Sequence, residues 1–389
     1  MKKNILYLSY DGLMEPLGES QVLNYLKKIS LTHNVHLISF EKIVDMQNVQ
    51  KFQKFKEVCS THQINWKPLR YSQFIRYVSS LQNIFNLFIQ ALRILIANNI
   101  HVVHIRSYMP GVAALPLKKI FTFSLVFDMR GLWADEKVDR LGWEENQFKY
   151  KFFKFLETKL LKGSESIITL TNGLKSYLIE QGYNGKKITT IRTCVNLDEF
   201  YPINHQNKDA SINLGYLGSA DTAYDIRPVL ELFNQILCIQ QNIKLKIFTK
   251  SDPEIIHKIA NKIGIKSKFL DVGFCNREDL NVAINDLSLI LFYLKPSFSL
   301  LASMPTKIGE SLGCNVPIIC NAFNKDIQEL MGDSNAGKLI EFNNTQEEAL
   351  ETLNFIGNYA QKSTCRDLAI NEFNLELGAQ KISDIYYAI

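Results

Sequence analysis

Between residues 303 and 319 the chain reads Ser303-Met304-Pro305-Thr306-Lys307-Ile308-Gly309-Glu310-Ser311-Leu312-Gly313-Cys314-Asn315-Val316-Pro317-Ile318-Ile319, and several of these side chains are spaced for anion and hydroxyl chemistry. Pro305 suits the first position of a helix, where its missing N–H is no loss, and the free N–H groups of the opening turn form an anion cradle. A diphosphate fits such a cradle. Glu310 falls about a turn and a half further in, where a carboxylate can accept hydrogen bonds from two vicinal hydroxyls such as those of a ribose. Gly313 and Pro317 close the helix, and 316–320 reads as a short buried strand. The run is equally consistent with an ordinary capped helix between two strands, Glu310 then being only an acid favoured by the helix dipole.

A second group follows the apolar run 124–127. Asp128, Arg130, Asp135 and Glu136 stand close together in sequence beside Trp133, and four ionisable residues after a buried strand are costly without a cleft or mutual pairing. Asp128 and Arg130 are read as site residues. Asp135 and Glu136 divide evenly between a site role and a structural ion pair. Arg106 follows the preceding strand and is expected to face the same place, whereas His104 fits inside that strand as a satisfied core imidazole. Gly12 and Gly18 give a flexible first loop, and Ser20 is suited to cap the helix after it or to close a simple turn.

Positioning these groups falls to a regular alternation of elements. Short apolar runs at 5–9, 35–40, 102–105, 124–127, 166–170 and 188–191 each fit a buried parallel strand, and segments such as 20–31 and 149–161 between them have helical periodicity. This predicts a doubly wound α/β sheet. The polar, aperiodic stretch 204–209 reads as a linker, after which a second series begins with strands at 212–217, 245–249, 269–272, 287–293 and 316–320. Domains are therefore expected at 1–203 and 204–374, with a last helical segment 375–389. Parallel sheets with crossover helices place ligands at the carboxyl ends of their strands. In the second domain that selects Gly218-Ser219-Ala220-Asp221-Thr222, Lys250-Ser251-Asp252, Gly273-Phe274-Cys275-Asn276 and 295–307. In the first it selects 11–21, Arg106-Ser107-Tyr108 and 128–136.

Composition narrows the function classes. A chain of 389 residues exceeds what one core usually organises. Its net charge of +5, from 44 basic and 39 acidic residues, argues against a dedicated nucleic-acid binder but allows attraction to an anionic membrane. Seven scattered cysteines without paired metal spacing read as reduced thiols, and no metal site is expected. The first apolar run is too short for a signal peptide, and the run 84–97 is interrupted by Asn86, Gln90 and Arg93, so no membrane-spanning segment is expected. Two segments nevertheless suit peripheral contact. In 148–162, Lys151, Lys154 and Lys162 lie on one side and Phe148, Phe152, Phe155 and Leu156 on the other, the aromatic side being expected to pack on the sheet. In 70–97, Phe74, Tyr77, Leu81, Phe85, Phe88 and Leu92 recur at helical spacing. A dinucleotide-dependent dehydrogenase is disfavoured because no Gly-x-Gly-x-x-Gly follows the first strand of either series.

The runs Asp11-Gly12-Leu13-Met14-Glu15-Pro16-Leu17-Gly18-Glu19-Ser20-Gln21, Phe127-Asp128-Met129-Arg130-Gly131-Leu132-Trp133-Ala134-Asp135-Glu136 and Pro305-Thr306-Lys307-Ile308-Gly309-Glu310 occur in the order found in one group of proteins. In these the chain resembles bacterial retaining glycosyltransferases of family four. The resemblance implies a GT-B fold, two Rossmann-like domains facing across a cleft, the first binding the acceptor and the second the donor, with the segment 375–389 crossing back to the first. It also implies transfer of a sugar from a nucleoside diphosphate donor, a UDP-sugar in preference to a GDP-sugar, to a hydroxyl with retained configuration. The acceptor implied is a glycan or polyprenyl-linked saccharide of surface polysaccharide synthesis, at the cytoplasmic face of a membrane. No cofactor, metal or nucleic acid is implied. Donor contacts are expected at Gly218, Ser219, Lys250, Phe274, Lys295, Pro305, Thr306, Lys307 and Glu310, acceptor contacts at Gly18, Glu19, Arg106, Asp135 and Glu136, and catalytic roles at Asp128, Arg130 and Lys307. The chain departs from the broader family in two places. Ala302 stands where many members have a sugar-binding glutamate, and no basic residue accompanies Gly218-Ser219, where a basic pair usually neutralises the diphosphate. Lys250, Lys295 and Lys307 are the compensating cations, with Lys307 expected to be exposed at the helix start. A nucleotide-sugar epimerase and a catalytically silent sugar-binding partner are the alternatives.

Overall fold

The structure, a computed structural model, describes residues 2–72, 76–203, 212–220, 222–332, 334–359 and 364–389. The expected linker 204–209, Phe74, Asp221 and the Tyr77 side chain lie outside the described residues. The chain forms two compact units, one of Met1–Cys194, Ala302–Met304 and Leu375–Ile389, the other of Val195–Leu301 and Pro305–Asn374.

The first unit contains the strands β1 (Asn4–Ser9), β2 (Asn34–Glu41), β3 (Ile64–Arg70), β4 (Val102–Arg106), β5 (Ser124–Met129), β6 (Ser166–Thr169) and β7 (Ile188–Thr190). They form one parallel sheet in the order β3-β2-β1-β4-β5-β6-β7. Its central strands are mostly apolar because helices cover both faces, with His104, Arg106 and Asp128 among the buried exceptions. The edge strand β3 has no such signature. It mixes Asn65, Lys67 and Pro68 with apolar residues, a composition that only an edge position tolerates. On one face the helices Arg76–Ala97, Met109–Lys118 and Phe148–Gly163 bury Leu87, Ala91, Ala113, Leu117, Leu156 and Leu160. On the other, Val22, Leu26, Phe55, Ile382 and Tyr386 pack against the strands, so the helix Leu375–Ala388 belongs to this unit.

Two local expectations are corrected. The helix after the first loop begins at Pro16 and passes through a π-helical turn, Glu19–Leu23; Ser20 caps nothing and donates its hydroxyl to the Pro16 carbonyl at 2.8 Å. In the helix Phe148–Gly163 the aromatic side does not cover the sheet. Leu156, Leu160 and Leu161 do so, and the rotation this sets leaves Phe148, Phe152 and Phe155 in solvent.

The second unit contains β8 (Ile212–Leu217), β9 (Ile243–Phe248), β10 (Leu270–Gly273), β11 (Leu289–Phe292), β12 (Ile318–Cys320) and β13 (Gly337–Leu339), all parallel, in the order β10-β9-β8-β11-β12-β13. In both sheets the order reverses once, between β1 and β4 and between β8 and β11, and a ligand crevice opens at the carboxyl ends beside such a reversal. The helix Thr306–Gly313 starts one residue later than expected: Pro305 has an extended ψ of 137° and is the N-cap. At the far end of that helix the Arg366 guanidinium donates to the carbonyls of Gly313 (2.6 Å), Phe200 (2.5 Å) and Leu197 (3.1 Å). A cation on the Gly313 carbonyl fixes the helix by its C-terminal end and ties it to the segment that holds Leu197 and Phe200.

Candidate functional site

In the second unit the chemistry gathers where β8 and β11 diverge. Gly218, just past β8, has φ +127°, a backbone that favours glycine, and a Cβ there would stand 2.6 Å from Lys307 Nζ and displace the ammonium. Lys307 leaves the first turn of the helix Thr306–Gly313 and runs inward. It is 6% exposed, which corrects the expectation of a solvated lysine. Its ammonium donates to the Leu217 carbonyl and lies 3.4 Å from the centre of the Tyr224 ring, with the Phe292 and Tyr216 rings at 5.4 and 5.6 Å. The aromatic faces and one carbonyl give a cation partial compensation only. Burial accordingly pulls the Lys307 pKa down to about 7, with Glu310 opposing.

Glu310, on the same helix, is also buried, and its Oε1 accepts from Arg277 Nη1 at 3.2 Å. Arg277 Nη2 donates to Glu199 Oε2 at 3.0 Å, and the guanidinium stands 5.2 Å from the Phe200 ring centre. Burial raises the Glu310 pKa and Arg277 works against that rise. Arg277 had not been anticipated, although it follows directly on the loop Gly273-Phe274-Cys275-Asn276. Lys250 lies over the exposed Phe274 ring at 5.6 Å from its centre. Ser219 accepts from Tyr216 Oη through its carbonyl at 2.5 Å, and its hydroxyl shares a hydrogen bond with Thr222. Lys295 is exposed, its backbone N–H bonded to the Ala223 carbonyl at 2.9 Å. Thr306 opens the helix behind the buried Pro305. Ala302 is fully buried.

In the first unit the register places Arg106 beside both Ser9 and Asp128. Asp128 is buried, with Oδ1 3.5 Å from Arg130 Nη1 and Oδ2 3.6 Å from Arg106 Nη1 and 3.8 Å from His104 Nε2. Burial alone would raise its pKa, but Arg130, His104 and Arg106 together hold it at about 2. Arg106 Nε also approaches Asp11 at 3.5 Å, and Arg130 Nη2 donates to Gln21 Oε1 at 3.3 Å. His104 stacks on Tyr7 at 4.4 Å and hydrogen-bonds Tyr386 Oη through Nδ1 at 2.7 Å, and burial lowers its pKa. The ion pairs are not closed hydrogen bonds: Arg106 Nη1, Asp128 Oδ1 and His104 Nε2 are buried and unbonded.

The first loop is anchored beside this cluster. A Cβ on Gly18 would fall 1.8 Å from the Gly12 carbonyl oxygen, so the loop closes only with glycine there. The buried Glu41 accepts from the N–H groups of Leu13 (2.7 Å) and Met14 (3.1 Å) and from Ser39 Oγ (2.6 Å). Nothing in the sequence marked Glu41, the last residue of β2. Glu19 is half-buried in the π-helical turn. Asp135 faces the helical layer, accepting from Tyr150 Oη (2.8 Å) and Lys154 Nζ (3.0 Å), and Lys154 also bonds Glu157 (2.6 Å). Glu136 is 3.9 Å from Arg140, and burial raises its pKa. Among the described residues no three His, Cys, Asp or Glu side chains are grouped to hold a metal ion.

Residues 23–199 match the family model described as Glycosyltransferase Family 4. No curated protein matches the chain by sequence. Among solved structures it is similar to sucrose-phosphate synthase from Thermosynechococcus elongatus, with a TM-score of 0.74 and 16% identity over 100% of this chain and 99% of that one. A glycosyltransferase from Rickettsia africae has a TM-score of 0.72 and 17% identity over 100% and 98% of the two chains. Anabaena HepE in complex with UDP has a TM-score of 0.72 and 12% identity over the full length of both. At these identities the likeness is one of fold, and the fold is GT-B. The family-four match thus spans residues 23–199, and the GT-B fold extends over the whole described chain.

Proposed function

We propose that the chain is a retaining glycosyltransferase that moves a sugar from a nucleoside diphosphate donor, a UDP-sugar in preference to a GDP-sugar, to a hydroxyl of a glycan or polyprenyl-linked saccharide on the cytoplasmic side of a membrane. The observation that carries this reading is the Lys307 ammonium beneath Gly218, at the carboxyl end of the β8/β11 reversal. The donor diphosphate rests on the Gly218 loop and on the N–H groups that open the helix Thr306–Gly313, with Lys307 below. As the glycosidic bond breaks the diphosphate gains negative charge, which a preorganised cation in a dry site stabilises more than it stabilises the bound donor. The resident lysine and helix N-terminus do this work without a divalent ion. Glu310, steadied by Arg277, receives the ribose hydroxyls.

The first unit takes the acceptor. With its pKa near 2, Asp128 is ionised at neutral pH and too weak a base to abstract a hydroxyl proton efficiently. It orients instead: the buried Asp128 and Arg106 fix Arg130, and Arg130, the more exposed of the three, meets the acceptor hydroxyls.

Turnover is tested by incubating the chain with a panel of UDP- and GDP-sugars and saccharide acceptors and measuring free nucleoside diphosphate and glycosylated product. Conversion of a donor without acceptor would point instead to an epimerase, and nucleotide binding without any turnover to a silent partner. Glu310→Gln is expected to weaken UDP binding by ~1–3 kcal/mol in calorimetry, the range for losing hydrogen bonds to a charged group. Unchanged affinity would remove Glu310 from the ribose site. Activity is expected to persist after exhaustive chelation; a loss reversed only by adding magnesium or manganese would contradict the role given to Lys307.

A further inference from the structure

We propose that the outer side of the helical layer formed by Arg76–Ala97, Met109–Lys118 and Phe148–Gly163 lies on an anionic lipid bilayer. This goes beyond the transferase reading and does not depend on which sugar is moved. The three helices cover one face of the first sheet through a shared core, with Met109–Lys118 packed against both of the others. Their outer residues are unusually apolar. Phe148, Phe152 and Phe155 are 83%, 40% and 60% exposed, and on Arg76–Ala97 Leu81, Phe85 and Ile96 are exposed as well. Isolated exposed apolar residues are ordinary, but rows of them on two helices of one layer mark an interaction surface.

The charge on this surface selects the partner. Phe148, Phe152, Phe155, Lys159 and Lys162 follow one another at helical spacing, so they share one side of their helix, and Lys162 joins the aromatic side instead of opposing it as expected. Lys159 Nζ lies 5.1 Å from the Phe155 ring centre, and Lys149 Nζ lies 4.3 Å from that of Trp143. Lys149, Lys151, Lys159, Lys162 and Arg93 are exposed, whereas the only acid on the three helices, Glu157, is buried and bonded to Lys154 and Tyr108. Glu144 and Glu145 are exposed in the loop before the last helix, and Glu165, just beyond its end, is paired with Lys118. Aromatic rings ringed by lysines, with no acid among them, match the boundary between acyl chains and anionic headgroups. A protein partner offering an equally large apolar, acidic face is the alternative occupant.

The helix Arg76–Ala97 meets the length and composition of a membrane span over Ser79–Ala97, where mean hydropathy is 1.3. It packs on the sheet through Leu87, Ala91 and Leu95, however, and Arg93 is exposed between them. Such a helix lies along the interface instead of crossing it.

The test is flotation of the full chain with vesicles of phosphatidylglycerol and phosphatidylcholine in equal parts, against vesicles of phosphatidylcholine alone. The chain is expected to float with the anionic vesicles, to be released by high salt, and to stay behind with the neutral ones. Phe148→Ser/Phe152→Ser/Phe155→Ser and Lys149→Glu/Lys151→Glu/Lys159→Glu should each lower the partition coefficient by about tenfold or more while UDP binding is kept. Brominated acyl chains should quench tryptophan emission of the unsubstituted chain, Trp143 being beside Lys149, and this readout decides the matter even if a variant fails to fold. Absence of flotation, equal flotation of well-folded variants, or a wild-type dimer that the serine variant converts to monomer would each overturn the proposal.

Discussion

Lys307→Met is expected to lower kcat by roughly a hundredfold, the cost of losing one preorganised group that meets developing negative charge. Methionine keeps the length and bulk that fill the space among Tyr216, Tyr224 and Phe292, so cavity effects stay small. Loss of a buried ammonium with incomplete compensation leaves folding stability unchanged or improved. A second readout separates catalysis from packing. In the folded chain Lys307 titrates near 7, far below its ordinary value of 10.5, so between those two pH values the unfolded chain binds a proton that the folded chain releases. Stability therefore rises with pH across that window, and below about 7 the penalty for the buried charge is constant. A bound diphosphate restores the proton. Calorimetry at about pH 8 in buffers of different ionisation enthalpy should show proton uptake on UDP binding, and Lys307→Met should abolish it. A kcat within about threefold of the original, with uptake unchanged, would leave Lys307 a structural residue.

Asp128→Ala is expected to destabilise the chain by ~3–5 kcal/mol, because it leaves Arg106 buried without its buried counter-ion and removes the carboxylate that the half-buried Arg130 shares. Urea denaturation of the full chain measures it. Asp128→Asn keeps the shape and should cost less. The same carboxylate predicts acid sensitivity with a definite sign. Its pKa of about 2 lies below the ordinary 3.8, so its contribution is complete above about pH 4 and is lost as pH falls through 2. An acid transition of equal depth in Asp128→Asn would show that other carboxylates govern it.

Strands buried on both faces were legible because most positions in them must be apolar, and β4 and β8 are found close to where the sequence places them. Edge strands escape that rule, which is why β3, with its proline, and the three-residue β13 were missed. The approximate position of Lys307 could be read, but its burial could not. A lysine at a helix start looks solvated until the rings of residues 216, 224 and 292 are brought to it by three separate elements. Arg277 and Glu41 were invisible for the same reason: each bonds a residue 33 or 28 positions away, beyond any local spacing. The aromatic stripe of Phe148–Gly163 was seen and turned the wrong way, since a run rich in both phenylalanine and leucine does not say which set faces the sheet.

The first unit is discontinuous, and this imposes an order on its completion during synthesis. Its sheet is assembled by residue 190, yet Tyr386, which hydrogen-bonds His104 behind Asp128, emerges from the ribosome almost two hundred residues later. Throughout that interval the surface meant for Leu375–Ala388 is bare, exposing Val22, Leu26 and the imidazole of His104. Nascent chains of this length are therefore expected to linger as chaperone clients until the other end of the polypeptide arrives. Because contacts this distant in sequence form late, final closure of the carboxylate cluster, not formation of either sheet, should set the pace of folding.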